Sequence, residues 1–381
     1  MPDLFQSFMQ GGFECSTHRR RDGRRLDVLA ATRHDRMTAE DYVLLGWHGI
    51  RTVRDGLRWH LIERLPYVYD WSSALPMLRA ARVTGTQVIW DLFHYGWPDG
   101  LDIWSPAFVH RFAGFARAAA RVVQAETNGA PFFVPMNEIS FMAWAGGQEG
   151  VFNPFAHRKG DALKLQLARA CIAAMHAIRE VAPLARFLLA EPIIRVVPRR
   201  HNPGSVERAA RHNEAQYQAW DMIAGRLNRE LGGAESLLDI IGVNYYCHNQ
   251  RQEEGSPIPW DGSDPAYRPF SELLRANYER YNRPILISET GIEAELRPLW
   301  LRHVADEVGK AIEEGIPVRG ICLYPVLNHP GWEDDRHCPN GLLDYCPARF
   351  DRSIYAPLAE EVNRQRARFL SLAERAPLLQ A

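Results

Sequence analysis

Eight short runs of β-forming apolar residues recur along the chain, and stretches with helical periodicity separate them. No other feature restricts the fold as tightly. The runs are FQSFMQGGF (5–13), IRTVRDGL (50–57), TQVIWDLFH (86–94), PFFVPMNE (131–138), ARFLLAE (185–191), LDIIGVNYY (238–246), RPILISE (283–289) and VRGICLYP (318–325). They are apolar enough to be buried on both faces, which is the pattern of a parallel sheet. Residues 107–125 and 159–181 carry apolar side chains at helical spacing. Helix patterns over 206–231 and 298–314 stop at Gly232 and Gly315, both C-terminal cap signals. Thr38 and Asp41 read as a capping box that opens the first helix. Eight strand–helix units favour a closed barrel over an open doubly wound sheet. The open sheet wants a glycine-rich phosphate turn after its first strand, and MQGGFECSTH contains no GxGxxG. The expected fold is α/β, a single (β/α)8 TIM barrel over residues 1–381, with its widest irregular stretch at 247–269.

Composition excludes several function classes. The chain has 45 basic and 46 acidic residues, a formal net charge of −1. That balance speaks against nucleic acid or an anionic membrane surface as the main partner. The six cysteines form no CxxC and no zinc-ligand spacing, so no metal site is expected. Scattered thiols suit small buried residues in a reducing compartment. The N-terminal stretch has no basic segment followed by an apolar one, and no run approaches the length of a membrane span. A cytoplasmic location is expected.

Barrels of this kind carry their chemistry at the C-terminal ends of the strands. The fourth strand ends in Asn137–Glu138 and the seventh in Ser288–Glu289. The third runs into His94–Tyr95–Gly96–Trp97, the second carries Arg54, and the sixth ends in Asn244–Tyr245–Tyr246. The eighth leads to Tyr324 and then to NHPGWEDD (328–335), while the first and fifth end near Glu14 and Glu191. Two carboxylates, a histidine, an arginine and many aromatic faces around one mouth suit a neutral polyol. They suit a metal poorly, because the histidines and acids are widely spaced. A pair of carboxylates facing a sugar can cleave a glycosidic bond if one stays protonated and the other ionised.

The ordered set resembles clan A glycoside hydrolases, and most of all family 1, the β-glucosidase type. The family's Asn-Glu after strand four is similar to Asn137–Glu138, and its Glu-Asn-Gly after strand seven to Glu289–Thr290–Gly291. Its strand-three His-Trp before a proline resembles His94–Tyr95 with Pro98 behind, and its strand-two arginine resembles Arg54. Its Asn-Tyr-Tyr after strand six resembles Asn244–Tyr245–Tyr246, and GLLDY (341–345) is similar to its strand-eight tail. The resemblance runs from about residue 5 to about 360. It implies Glu138 as general acid/base, Glu289 as nucleophile, and Arg54 and Tyr246 beside Glu289. Substrate contacts are expected from Glu14, His94, Asn137, Asn244, Tyr324, Trp332 and Glu333. The sequence departs from the family at strand eight, where Tyr324 replaces a tryptophan platform and Pro330–Gly331–Trp332–Glu333 replaces Phe-Glu-Trp. The family's strand-one glutamine is not evident, and Glu14, Thr17 and His18 occupy that region.

Plainer readings accompany several of these residues. Glu14 either grips a sugar hydroxyl or pairs with the basic run Arg19–Arg20–Arg21. Glu191 is expected to pair with Arg195. Trp97, Trp144, Trp260 and Trp332 each divide between sugar stacking and core packing. The run from Glu333 to Cys338 is expected to be a solvated or self-paired loop. The resulting expectation is a retaining β-glycosidase that acts on a small glycoside or oligosaccharide and needs no cofactor. Other clan A activities (β-galactosidase, β-mannosidase or short endoglycanase) and a non-hydrolytic sugar-binding barrel are the alternatives.

Overall fold

The computed structural model describes residues 4–199, 202–345 and 351–375. Eight parallel strands close into a barrel: β1 (Met9–Gly12), β2 (Thr52–Gly56), β3 (Gln87–Asp91), β4 (Phe132–Val134), β5 (Arg186–Pro192), β6 (Ile240–Asn244), β7 (Ile285–Thr290) and β8 (Val318–Leu323). Each lies within one of the eight apolar runs, except that β5 and β7 each extend one residue beyond it. The strands pair in sequence order, and β1 closes the barrel on β8 through Met9–Ile321 and Gln10–Cys322. Helices lie between them, giving a (β/α)8 barrel.

Alternation along each strand divides the apolar residues between two cores. Ile89, Phe132, Val134, Leu188, Ala190, Ile240 and Leu286 form one cluster with Phe5. Their intervening neighbours Val88, Phe133, Phe187, Leu189, Ile241 and Ile287 pack outward under the helices. The helix Pro106–Glu126 starts on a proline, which suits a first turn with free N–H groups. It buries Phe108, Phe112, Phe115, Ala119 and Val123 at helical spacing. Each buried phenylalanine contributes about 1.5–3 kcal/mol. The helix packs against Gly160–Arg179, whose own face presents Ala170, Ala174 and Ala177. Among the described residues, no helix is long and apolar enough to cross a membrane.

Two helix readings need correction. Thr38 and Asp41 do not form a capping box: the stretch His34–Trp47 kinks at Met37, just before Thr38, but the Thr38 hydroxyl donates back to His34 O at 2.6 Å. The Asp41 carboxylate is fully buried and accepts from His34 Nδ1 at 2.7 Å and from Arg352 at 2.6 and 3.0 Å. The 206–231 pattern is not one helix. It breaks into Pro203–Ala215, Gln218–Ile223 and a single 3-10 turn, Arg229–Leu231, which left-handed Gly232 caps. The break falls at Gln216, whose side chain accepts from Ile194 N at 2.8 Å and donates to Asn213 O. A tertiary contact there replaces helix continuation.

His34 joins the helical layer to the barrel. Its Nε2 meets Asp55 of β2 at 2.8 Å, and the Tyr42 hydroxyl donates to the same oxygen at 2.6 Å. Burial alone would depress the imidazole, but Asp55 and Asp41 outweigh it and raise its pKa to about 9. A folded-state value above the unfolded value gives stability that is complete below about pH 6.5 and lost as pH rises towards 9. Replacing His34 by alanine removes an ion-pair partner from the buried Asp55 and leaves Asp41 with Arg352 alone, and is expected to cost about 3–5 kcal/mol in urea unfolding at pH 6. The wild type should lose stability between pH 6.5 and 9 by more than His34→Ala does. Parallel curves for the two proteins would overturn the charged assignment.

Candidate active site

The C-terminal ends of β2, β3, β4, β6 and β7 converge on two buried carboxylates. Arg54 lies on β2 at the level of Gly12 on β1, with its guanidinium inside the barrel mouth. It donates to Glu289 Oε1 at 2.7 Å, to both oxygens of Asp91 at 2.9 and 2.8 Å, and to Asn137 Oδ1 at 2.6 Å. The Tyr246 hydroxyl donates to the other Glu289 oxygen at 2.9 Å. Glu138 receives only neutral donors. Tyr95 Oη gives one hydrogen bond at 2.6 Å and Asn244 Nδ2 another at 2.8 Å. Asn244 pairs in register with Glu289 and accepts from the Ser288 hydroxyl at 2.6 Å, so it ties the two acid-bearing strands together.

Backbone strain is concentrated at one of these contacts. Glu138 (φ 43°) and Tyr95 (φ 66°) both adopt the left-handed region that non-glycine residues avoid, and they hydrogen-bond to each other. Each such residue costs about 1–3 kcal/mol and persists only where its surroundings fix it. Glu138 N–H donates to Ala190 O at 2.9 Å, and the next turn is held where Ser140 N–H meets the Glu191 carboxylate at 3.1 Å. The chain then runs from the helical turn Ile139–Met142 into a π-helical stretch, Ala143–Gln148, which projects Trp144 to the surface.

The two environments separate the acids electrostatically. Burial and then the charge of Glu289 push Glu138 up to about 8. Burial raises Glu289 as well, but Arg54 and then His94 pull it back. The two environments therefore favour the proton on Glu138 and the charge on Glu289. Burial opposes ionisation of Asp91, but Arg54 and His94 more than offset it and hold it low. Cys15, Asp91 and His94 place ligand atoms within 4.8 Å of one another. They do not fit a metal, because Arg54 already occupies both Asp91 oxygens and burial raises the Cys15 thiol well above its usual range.

Beside this pair opens a cavity of about 460 Å³ walled by Phe141, Trp144, Phe152 and Trp332 and edged by Arg20 and Arg21. Tyr95, the donor to Glu138, packs behind that wall, with its ring 5.7 Å from Trp332 and 5.5 Å from Phe152. Tyr324 lies deeper, with its ring parallel to His94 and the Arg54 guanidinium 5.2 Å from its centroid. Gly12 makes room for it, since a Cβ there would stand 2.2 Å from Tyr324 Cδ2.

No family model matches the sequence, and no curated protein matches it. Solved structures do. A β-glucosidase from Thermotoga maritima in complex with glucoimidazole superposes with a TM-score of 0.79 at 15% identity, covering 96% of this chain and 99% of that one. The β-glycosidase of the hyperthermophile Thermosphaera aggregans gives 0.77 at 15% identity, covering 95% and 96%. A family 1 β-glucosidase from Thermotoga maritima gives 0.72 at 16% identity, covering 88% and 87%. The fold is that of the family 1 β-glucosidases.

Within that fold the structure gathers most residues singled out from the sequence and sets a few apart. Glu138, Glu289, Arg54, Asn137, Asn244 and Tyr246 form one hydrogen-bonded network, and His94 joins it through Asp91 at 2.9 Å. Tyr324 and Glu14 lie against that network, and Trp332 forms the wall of the outer cavity. Glu333 is exposed at the rim of that cavity, away from the two acids. Glu14 makes no ion pair with Arg19, Arg20 or Arg21; it accepts from Ser16 and lies 3.8 Å from His94. Glu191 does not pair with Arg195, which donates to Ala266 O instead. Trp97 and Trp260 pack against Phe93 and Trp300, so only Trp144 and Trp332 stand at the mouth. The 333–338 run pairs outward, Asp335 with Arg20 and Arg24, Arg336 with Glu293. Cys346 lies outside the described residues, and the other five cysteines are free. Asp91 is the member missing from the sequence-based set, and Tyr95 stands there only as part of the strand-three motif, without its bond to Glu138. The signal for Asp91 was available, because an acid within VIWDLF must find a cationic partner when buried.

Proposed function

We propose that the chain is a retaining β-glycosidase, one catalytic barrel acting on small glycosides or oligosaccharides. The observation that carries this reading is the asymmetry of the two buried carboxylates: Arg54 and Tyr246 on Glu289, neutral donors alone on Glu138. Glu138 gives its proton to the leaving oxygen while Glu289 attacks the anomeric carbon and forms a glycosyl-enzyme. Glu138, now ionised, takes a proton from water, and the hydroxide oxygen displaces Glu289 with a second inversion. The aromatic cavity beside Tyr95 suits the leaving group, because it adjoins the proton donor. Similarity to β-glucosidases, one of them in complex with glucoimidazole, supports a sugar in the inner site. Retention further requires carboxyl groups about 5–5.5 Å apart, against roughly 6.5–9.5 Å for inversion.

Nitrophenol release from a panel of aryl β-glycosides tests the activity, and proton NMR of the first-formed sugar tests retention. The pH profile tests the assignment. The reaction needs Glu138 protonated, so kcat/KM should fall as pH rises through about 8. It needs Glu289 ionised, and burial raises that group, so the acid limb should lie above the usual glutamate range. A rate independent of pH from 5 to 9, or no hydrolysis of any β-glycoside, would remove the proposal.

A further inference from the structure

We propose that the sugar bound beside Glu289 carries a free primary ammonium group and that Glu14 is its counter-charge, an inference that rests on the glycosidase reading above. Glu14 follows β1, on the Arg54 side of the mouth, and is 7% exposed. The Ser16 N–H and hydroxyl both bond to its Oε1. Its Oε2 accepts no hydrogen bond among the described residues, so that oxygen is open to a donor.

The charge count gives that donor its sign. Glu14, Asp91 and Glu289 face Arg54 and His94. Even with His94 counted as protonated, the three carboxylates outnumber the cations paired with them, and His329, beyond ion-pair distance of Glu14, is the further positive influence on it. Burial opposes ionisation of Glu14, but His94, His329 and Ser16 more than offset it and hold its pKa low. A neutral glycone can donate its hydroxyls to this carboxylate, but it leaves the excess negative charge in place. The charge also works against catalysis with a neutral sugar, because Glu14 raises the proton affinity of Glu289. A ligand that brings one positive charge closes the balance and relieves the nucleophile. Charge-assisted hydrogen bonds are also roughly twice as strong as neutral ones.

Two further side chains around Glu14 point to a ligand. The Tyr324 hydroxyl and His18 Nδ1 are buried without a hydrogen-bond partner, each on a residue 2% exposed. Among neighbouring charges, Glu14 acts most strongly on Tyr324. Burial pushes His18 down to about 4, so it is neutral and does not compete as a cation. The Tyr324 hydroxyl can serve a sugar hydroxyl near the ammonium, and His18, which lines the aromatic cavity, one farther out.

The test is calorimetric binding at pH 6 of phenyl 1-thio-β-D-glucoside and its four analogues with an amine in place of the hydroxyl at C2, C3, C4 or C6. The sulfur linkage resists cleavage, so binding is read without turnover. At least one amine should bind about tenfold tighter than the parent, or about 1.4 kcal/mol. Glu14→Gln should erase that preference, while Glu14→Asp should keep it. The proposal is overturned if the parent binds as tightly as every amine, if no member binds, or if Glu14→Gln leaves the preference intact. Should Glu14→Gln not fold, the wild-type comparison of each amine with the parent still decides. Nitrophenyl O-glycosides of the same sugars separate the two readings. Cleavage of the neutral glycoside without amine preference sinks this inference alone, and amine binding without any cleavage sinks the glycosidase reading.

Discussion

Glu289→Ala should lower turnover of every β-glycoside by about 10⁴-fold or more, because no glycosyl-enzyme can form. Glu138→Ala should behave differently. An activated nitrophenyl leaving group needs little protonation, so the first step survives while release of the sugar slows by about 10²–10⁴-fold for want of a base. Added azide needs no deprotonation. It should restore turnover to Glu138→Ala and yield a β-glycosyl azide, because it enters where the water would. With Glu289→Ala the anion fills the space left by the carboxylate on the opposite face and should yield the α-azide. The structure sharpens the contrast, since Glu289→Ala leaves Arg54 and Tyr246 ready to hold an anion, whereas Glu138→Ala leaves only neutral donors. Equal losses with no azide product from either variant would mean that the pair is wrong.

The barrel was legible because its signal is local. Each strand buries consecutive apolar residues, and runs such as ILIS or LDIIGV carry that pattern whatever surrounds them. The acid pair was legible because polar residues that end such runs must lie at the barrel mouth. What escaped depends on partners far away in the chain. Asp41 reads as half of a capping box until Arg352 is brought to it from 311 residues away. The helix break at Gln216 has no glycine or proline to announce it; Ile194 supplies the competing hydrogen bond. Glu191 and Arg195 are neighbours in sequence, yet the former turns to the Ser140 amide and the latter to the 266 carbonyl. Tyr95 passed as part of a family-like motif, and its bond to Glu138 required the left-handed turns at both residues. Sequence patterns thus located the site, and long-range pairing decided the role of each neighbour.

Arg54→Met should couple a large loss of stability to a loss of activity. Arg54 is 1% exposed, and its guanidinium serves Asp91, Glu289 and Asn137 at once. Methionine keeps much of the apolar stem and removes the charge, which leaves the buried Asp91 and Glu289 without the cation they share. Breaking a buried pair in this way costs about 3–5 kcal/mol, to be read from urea unfolding at pH 7. Protonation of a carboxylate would recover part of that cost. Glu289 loses the largest influence that keeps its pKa down, so the proton should settle there at a higher pH than in the wild type. The acid limb of kcat/KM should therefore move towards neutrality, and the maximum rate should fall by about 10²–10³-fold, the scale of losing one fixed electrostatic donor. Arg54→Lys retains the charge but cannot reach three acceptors in a planar fork, so it should recover part of the stability and little of the rate. The shape of the pH profile decides between roles. A variant that unfolds more easily but keeps the wild-type acid limb would make Arg54 a structural bridge between β2 and β3, with no hold on the ionisation of Glu289.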